Sequence, residues 1–393
     1  MPVPSTEPIS STALPASPAP RLHFVDGLRG LAMLSVLLYH CRQNGGEWGW
    51  TPFGPYSVNL AAPLDYGYVG VNLFLVLSGF CLYWPLTRPG RPEPTLWAFA
   101  QKRCLRILPP YYAALLFFWA LLLLDVLTHH HFHEDATSVR HVILSLGWHL
   151  LMLHNLSPDY VLSIDGVFWS LGLEFSLYIL FPVLVEAFKR FGPWLPTFAV
   201  LAIDLGWRHA VAEIVGPETP IADSFVLCSS LPGRCFEFVA GMTAAWLVAN
   251  RKRPATGQGY TAVSFCAGVG AVWVSAHSGS GSTFPDVLWG GSFAALLVAA
   301  ARPAGILNRA LSASWLVKLG IFSYSVYLIH LPLTKALDAL AVSRHWPVAV
   351  FGVFVIAPLM LLLGYLFHLL FEKPFMNAPK SRAPGSDTPP RWV

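Results

Sequence analysis

Apolar positions in this chain run in long, nearly continuous stretches instead of alternating with polar ones. Each stretch has about 17 to 25 residues, enough to cross a hydrocarbon core of about 30 Å as a helix, and is too continuously apolar for a barrel strand. The pattern predicts an all-α, polytopic membrane protein with about ten transmembrane helices. We place them at 24–43, 66–87, 106–128, 166–188, 193–212, 224–249, 259–277, 285–301, 317–340 and 346–371.

The segment 141–156, HVILSLGWHLLMLHNL, is apolar but shorter than a span requires. Counting it as a crossing would move Lys189 and Arg190 to the outer side, which contradicts the positive-inside rule. We therefore expect an amphipathic helix at the outer face. Ten crossings then leave the N- and C-termini on the cytoplasmic side.

Composition supports a membrane protein and excludes several other classes. The 393 residues are 55% hydrophobic and 12% charged, about half the charged share of a soluble domain. A net charge of +4, scattered between the spans, does not indicate a nucleic-acid surface. We expect a disordered tail at 1–20, one membrane domain at 21–376 and a disordered cytoplasmic tail at 377–393.

Ionisable residues inside membrane helices are functional candidates, because each costs at least about 2.5 kcal/mol on insertion scales. Arg29 and His40 are eleven residues apart in the first span, three turns plus about 20°, so they lie on one helix face. Such a pair fits an extended ligand that enters from the cytosol. The alternative is that Arg29 pairs with Asp26 and His40 is a packed, hydrogen-bonded residue.

Three cations, Lys102, Arg103 and Arg106, stand at the cytoplasmic mouth of the third span. Arginine forks suit phosphates such as those of coenzyme A. An ordinary positive-inside anchor explains the same charges without a ligand.

Polar residues in later spans form further candidates. Glu174 lies in an apolar run and needs either a proton or a cation such as Arg234 or His40. Arg234 can instead be neutralised locally by Glu237, three residues later. Ser323, Tyr327 and His330 follow each other at i, i+4 and i+7 and form a polar stripe that lines a cavity or bonds a neighbouring helix.

No metal site is predicted. The run His129, His130, His131 and His133 lies in a polar loop without a carboxylate at fixed spacing, and we expect a solvated loop there. HExxH, P-loop, GxGxxG and GxSxG motifs are absent from the sequence, so zincin, nucleotidase, dehydrogenase and α/β-hydrolase readings lack support.

Seven motifs in order resemble acyltransferase family 3, a family of membrane enzymes that modify sugars and macrolides. They span about 22–376: FVDGLRGLAMLSVLLYH, GYVGVNLFLVLSGF, KRCLRILPPYY, FWSLGLEFSLYILFP, GRCFEFVAGM, FSYSVYLIHLPL and FEKPF. The resemblance implies that His40 is catalytic, that Arg29 supports it or the donor, and that Arg103 and Arg106 help bind the coenzyme. We add Glu174 to the catalytic candidates and Lys102 and Tyr111 to the coenzyme-binding ones, and we assign acceptor contacts to Arg234, Ser323, Tyr327 and His330.

Two positions depart from the family pattern. Asn72 stands where Asp is common, and Phe175 follows Glu174 where a second acid often stands. Both departures put a carboxylate role at these positions in doubt. The resemblance otherwise describes a stand-alone member without an esterase-like domain, which delivers its acyl group directly or to a separate protein.

The predicted activity is O-acyl transfer in the inner (plasma) membrane, with acyl-CoA as donor, acetyl as the family default and no metal. His40 would act as general base on a hydroxyl of a carbohydrate or macrolide-like acceptor of the cell envelope. An acyl-enzyme at Ser323 or Tyr327 is an open alternative. A transporter or flippase of a polar or lipid-linked solute, and an inactive scaffold, are the competing readings.

Overall fold

The structure is a computed structural model that describes residues 22–43, 50–53, 56–59, 61–88, 90, 93–128, 138–216, 218–250, 257–277, 284–303, 305–346 and 348–376. The predicted tails at 1–20 and 377–393 and the histidine run at 129–133 lie outside these residues.

The described chain is almost entirely helical. The longer helices are α1 His23–Gln43, α3 Gly70–Tyr83, α4 Leu96–Thr128, α5 Val139–Leu150, α6 Trp169–Phe191, α7 Trp194–Ile214, α9 Leu231–Ala249, α10 Gly257–His277, α11 Phe284–Ala300, α14 Ser323–Ser343 and α16 Ala357–Phe367. The shorter ones are α2 Ala62–Asp65, α8 Ile221–Cys228, α12 Ile306–Leu311, α13 Ser314–Ile321, α15 Val348–Phe351 and α17 Lys373–Met376. One antiparallel hairpin, β1 Trp50–Phe53 with β2 Tyr56–Asn59, pairs Trp50 with Asn59.

The expectation of an all-α membrane protein is confirmed. Seven helical segments are long and apolar enough to cross a membrane, and they overlap seven of the ten predicted spans. The other three predicted spans also coincide with helices, of which α11 is apolar but only 17 residues long. The predicted span at 317–340 is broken at Phe322, where α13 ends and α14 follows. The count of ten and the orientation of the termini remain predictions.

The doubtful segment at 141–156 forms a helix, α5, of 12 residues, too short to span. Ser138 caps it by accepting a hydrogen bond from the amide of His141. Its polar Ser145 and His149 are buried against the protein, and leucines occupy its exposed face. In a soluble amphipathic helix the apolar face is buried and the polar face is exposed. The reverse arrangement in α5 agrees with an apolar surrounding.

Two histidines of the segment 141–156 stack inside the protein. The rings of His149 and His154 lie parallel with centroids 4.0 Å apart, and both residues are fully buried. Burial lowers the pKa of His154 to about 4 and that of His149 well below its usual range. The pair is therefore uncharged at neutral pH and connects the segment to α6 through a bond from His154 to the carbonyl of Phe168.

Helices α3 and α9 cross at contact between their backbones. A Cβ on Gly79 would collide with the carbonyl oxygen of Phe238, and a Cβ on Gly241 would collide with that of Val76. Small residues at both positions permit this approach, which is a common device of helix packing in membranes. The crossing holds α3 in place, and α3 supplies one wall of the cavity described below.

Replacing Gly79 by Ala is expected to lower the melting temperature of the detergent-solubilised protein. Overpacking a close contact costs about 1 to 3 kcal/mol, and here the obstacle is rigid backbone. Gly206→Ala is the matched control, because Gly206 is helical and exposed and a Cβ there meets open space. Equal melting temperatures for the two variants would contradict the packing described.

Candidate active site

A cavity of about 960 Å³, part of it open to solvent, lies between helices α1, α3, α4, α6 and α14. Along α6 it reaches from Tyr178 to Ser170, eight residues or about 12 Å of helix rise. Much of its lining is apolar, and each of the five helices also contributes a polar side chain.

Three arginines line the cavity: Arg29 from α1, and Arg103 and Arg106 from α4. Arg29 Nη1 lies 3.3 Å from Asp26 Oδ1, so the ion pair expected as its alternative role coexists with its position on the cavity. Within the described ranges, Arg103 and Arg106 form no ion pair, and the buried Nε of Arg103 has no hydrogen-bond partner. These two guanidinium groups are therefore available to an anion.

Glu174 lies on the same cavity as the arginines. Its carboxylate accepts hydrogen bonds from Ser78 Oγ, at 2.9 Å, and from the hydroxyl of Tyr178. The sequence suggested Arg234 or His40 as the partner that neutralises this acid. Its bonding partners are instead two hydroxyls, and the nearby cations of the cavity are the three arginines.

Ser170 and Tyr327 stand at the opposite end of the cavity from Tyr178. Their hydroxyl oxygens are 2.7 Å apart, and both residues line the cavity. Ser323 also lines it, and its hydroxyl donates to the carbonyl of Gly320 at 3.0 Å. Two members of the predicted polar stripe on α14 thus lie on the cavity.

The third member, His330, lies one turn beyond Tyr327 and is 1% exposed. Its Nε2 is 3.0 Å from Nδ1 of His40, which joins the end of α1 to α14. Neither histidine lines the cavity; the ring of Tyr327 lies between the cavity and His330, with ring centroids 5.6 Å apart. Tyr327 therefore contacts both the cavity and the histidine pair.

Two residues assigned to the coenzyme site lie elsewhere. Lys102 is exposed and is not part of the cavity wall. Tyr111 is fully buried, and its hydroxyl donates to the carbonyl of His149 at 3.1 Å. In this arrangement Tyr111 attaches the outer segment to α4.

Arg234, predicted to contact the acceptor, belongs to a buried ion network outside the cavity. Its Nε lies 2.9 Å from Glu237 Oε1 and its Nη1 lies 3.0 Å from Asp286 Oδ2. Arg208 joins the same network through Asp204 and Asp286. Local neutralisation by Glu237, one of the two readings of the sequence, is thus present.

Asn72 completes this network. Its amide nitrogen donates to Asp286 at 2.9 Å and lies 3.4 Å from Glu237. The network already holds three carboxyl groups for two arginines, so an Asp at position 72 would add a fourth carboxyl group where a hydrogen-bond donor is needed. The departure from the family pattern at Asn72 therefore has a local physical reason.

The cavity residues that were not selected from the sequence include Ser78, Ser170, Tyr178, Tyr324 and Glu372. Glu372 is 3% exposed, and its Oε2 lies 2.6 Å from Ser325 Oγ and 2.8 Å from His368 Nδ1. It belongs to a π-helical turn, His368–Glu372, and such turns occur frequently at functional sites. The sequence signal that could have identified Glu372 as a candidate is an acidic side chain within the predicted membrane domain.

No group of three or more His, Cys, Asp or Glu residues suited to a metal ion occurs in the part of the chain that the structure describes.

The apolar helical bundle, with a cavity that holds charged side chains between its helices, defines an integral-membrane protein with an internal site. Comparison with known proteins gives the family: the profile described as "Acyltransferase domain" matches residues 22–369, so the chain belongs to this acyltransferase family. "Acyltransferase MdmB" of Streptomyces mycarofaciens is similar to it, 24% identical over 394 residues that cover 94% of this chain and 95% of that protein. No solved structure matches the chain.

Arg234→Ala is expected to destabilise the protein by about 3 to 5 kcal/mol, because buried Glu237 loses its ion-pair partner and Asp286 keeps only Arg208. The loss is read as a lower melting temperature of the solubilised protein. Arg309→Ala, at an exposed arginine of α12, is the matched control and should melt as the wild type does. An unchanged melting temperature with a raised acceptor KM would restore the acceptor-binding role.

Proposed function

We propose that this acyltransferase takes an acyl group from acyl-CoA and transfers it to a hydroxyl of a carbohydrate or macrolide-like acceptor. The observation that carries the proposal is the cavity with Arg103 and Arg106 at one end and the His40–His330 pair beyond the other. Guanidinium groups without a carboxylate partner match the phosphates of coenzyme A. We propose further that the transferred acyl group is acetyl and that the enzyme acts in the inner membrane.

The donor occupies the cavity with its phosphates on the arginines and its thin pantetheine arm along the apolar middle. The thioester then lies near Ser170 and Tyr327. Because Tyr327 separates this point from His330, contact between the thioester and His40 requires the Tyr327 ring to move or the donor to pass beside it. Enclosure on both sides limits hydrolysis of the thioester.

His40 acts as the general base. It removes the proton of the acceptor hydroxyl while the oxygen attacks the thioester carbonyl. The C–O bond forms, the C–S bond breaks, and the proton leaves with the coenzyme A thiol. Removal of a general base usually costs about 10² to 10⁴ in rate.

The transporter reading is weaker on present observations. A family of acyltransferases matches almost the whole chain, and the cavity offers a place for an anionic donor. Purified protein in nanodiscs, incubated with radiolabelled acetyl-CoA and candidate acceptors, should yield an acylated product detectable by mass spectrometry. Flux of an unmodified solute without acyl-CoA would support the transporter instead.

Arg103→Ala and Arg106→Ala are each expected to raise the KM for acyl-CoA about tenfold or more, because a hydrogen bond to a charged group contributes about 1.5 to 3 kcal/mol. Lys102→Ala should change this KM less, since Lys102 is outside the cavity wall. Steady-state kinetics with varied acyl-CoA give the comparison, and Arg309→Ala is the neutral control. A larger effect at Lys102 than at both arginines would place the phosphates outside the cavity.

His40→Ala should lower kcat about 10² to 10⁴-fold while acyl-CoA binding and abundance in the membrane are unchanged. His277→Ala is the matched control, because His277 is exposed and bonds the carbonyl of Trp273 in its own helix. Turnover by His40→Ala close to that of the control would refute the assignment of the base.

A further inference from the structure

The hydrogen bonds of His330 define where its protons are. Its Nδ1 lies 2.8 Å from the backbone carbonyl oxygen of Tyr327. A carbonyl oxygen accepts hydrogen bonds and cannot donate them, so Nδ1 carries the proton. The other ring nitrogen, Nε2, is an acceptor as long as the ring is neutral.

Burial indicates that His330 is neutral. The residue is 1% exposed, and none of the described carboxylates forms an ion pair with it. An isolated charge in such a site is strongly unfavourable. Nε2 of His330 therefore accepts a hydrogen bond, and the atom that faces it at 3.0 Å is Nδ1 of His40.

His40 must then carry its proton on Nδ1 and its lone pair on Nε2. Two other histidines of this chain, His149 and His277, also place Nδ1 against an acceptor, the carbonyl four residues earlier, at 2.8 Å in each case. The tautomer inferred for His40 is thus one that helical histidines of this chain adopt elsewhere.

We propose that His330 is a positioning residue that orients His40 and holds it in the Nδ1–H tautomer, so that Nε2 is the nitrogen that takes the proton of the acceptor hydroxyl. The inference rests on the proposed function and adds the atom and the partner. The proton moves from the hydroxyl to Nε2 as the C–O bond forms, and from Nε2 to the thiolate released when the C–S bond breaks. While His40 is an imidazolium, its bond to His330 is charge-assisted and stronger.

This assignment changes the role given to His330 from the sequence, where it was expected to contact the acceptor. The structure instead shows His330 in contact with His40, near the end of α1. No other histidine, lysine or carboxylate stands on that turn of α1 to act as a second base. A partner that fixes a histidine tautomer acts on the chemical step and leaves donor binding unchanged.

The test compares His330→Leu, which removes the acceptor atom, with His330→Gln, whose side-chain oxygen replaces it. His330→Leu should lower kcat about 10- to 100-fold, the range seen when an orienting partner of a functional histidine is removed. His330→Gln should recover most of that loss, and the KM for acyl-CoA should stay unchanged in both. His209→Gln, at an exposed histidine of α7, is the matched control.

Retained kcat in His330→Leu, or equal loss in the Leu and Gln variants, would overturn the positioning role. If the variants misfold, the proposal is tested by ¹⁵N NMR of the wild-type protein with labelled histidines, and the His40 signals are assigned by their loss in His40→Gln. A proton on Nε2 of neutral His40 would exclude the proposal, and a proton on Nδ1 would support it. The proposed function fails separately, when His40→Ala retains turnover or no acyl-CoA-dependent product forms.

Discussion

A charged side chain inside a helical membrane bundle has to be neutralised by a partner or placed on a polar cavity, because lipid stabilises neither its charge nor its hydrogen bonds. This constraint divides the arginines of the protein into two groups. Arg208 and Arg234 are enclosed by carboxylates that they neutralise. Arg103 and Arg106 line the cavity together with Glu174 and form no ion pair within the described chain. An anionic ligand in the cavity gains from these two guanidinium groups, which the fold leaves without a salt bridge.

Helix α1 connects the two parts of the site. Arg29 faces the cavity, and His40, eleven residues or about 16 Å further along, meets α14. A Cβ on Gly30 would collide with the carbonyl of Leu316, so α1 packs at backbone distance against α13. A continuous helix packed in this way keeps the distance between Arg29 and His40 nearly constant. The proposed function uses this distance, with the donor phosphates placed near Arg29 and the acceptor hydroxyl placed at His40.

Tyr327 has a double role between these parts. Its hydroxyl bonds Ser170 at the end of the cavity, and its backbone carbonyl sets the protonation of His330. Movement of the side chain need not disturb the carbonyl, since α14 holds the backbone. The hydroxyl that lines the cavity and the carbonyl that bonds His330 are thus different atoms of one residue.

Local chemistry and periodicity were enough to predict the helical membrane fold and the short helix at α5, and they selected five residues that line the cavity, Arg29, Arg103, Arg106, Glu174 and Tyr327. Hydropathy and the cost of buried charge are properties of the sequence itself. The same reasoning could not identify the residues with which these side chains form hydrogen bonds or ion pairs. Glu174 bonds Ser78 across 96 positions, His40 bonds His330 across 290, and Asn72 joins Asp286 across 214. Such contacts depend on how helices pack, which no local pattern encodes. The tertiary structure alone therefore decided that Arg234 is neutralised within the bundle, that Tyr111 supports the outer segment, and that His40 has another histidine as its neighbour.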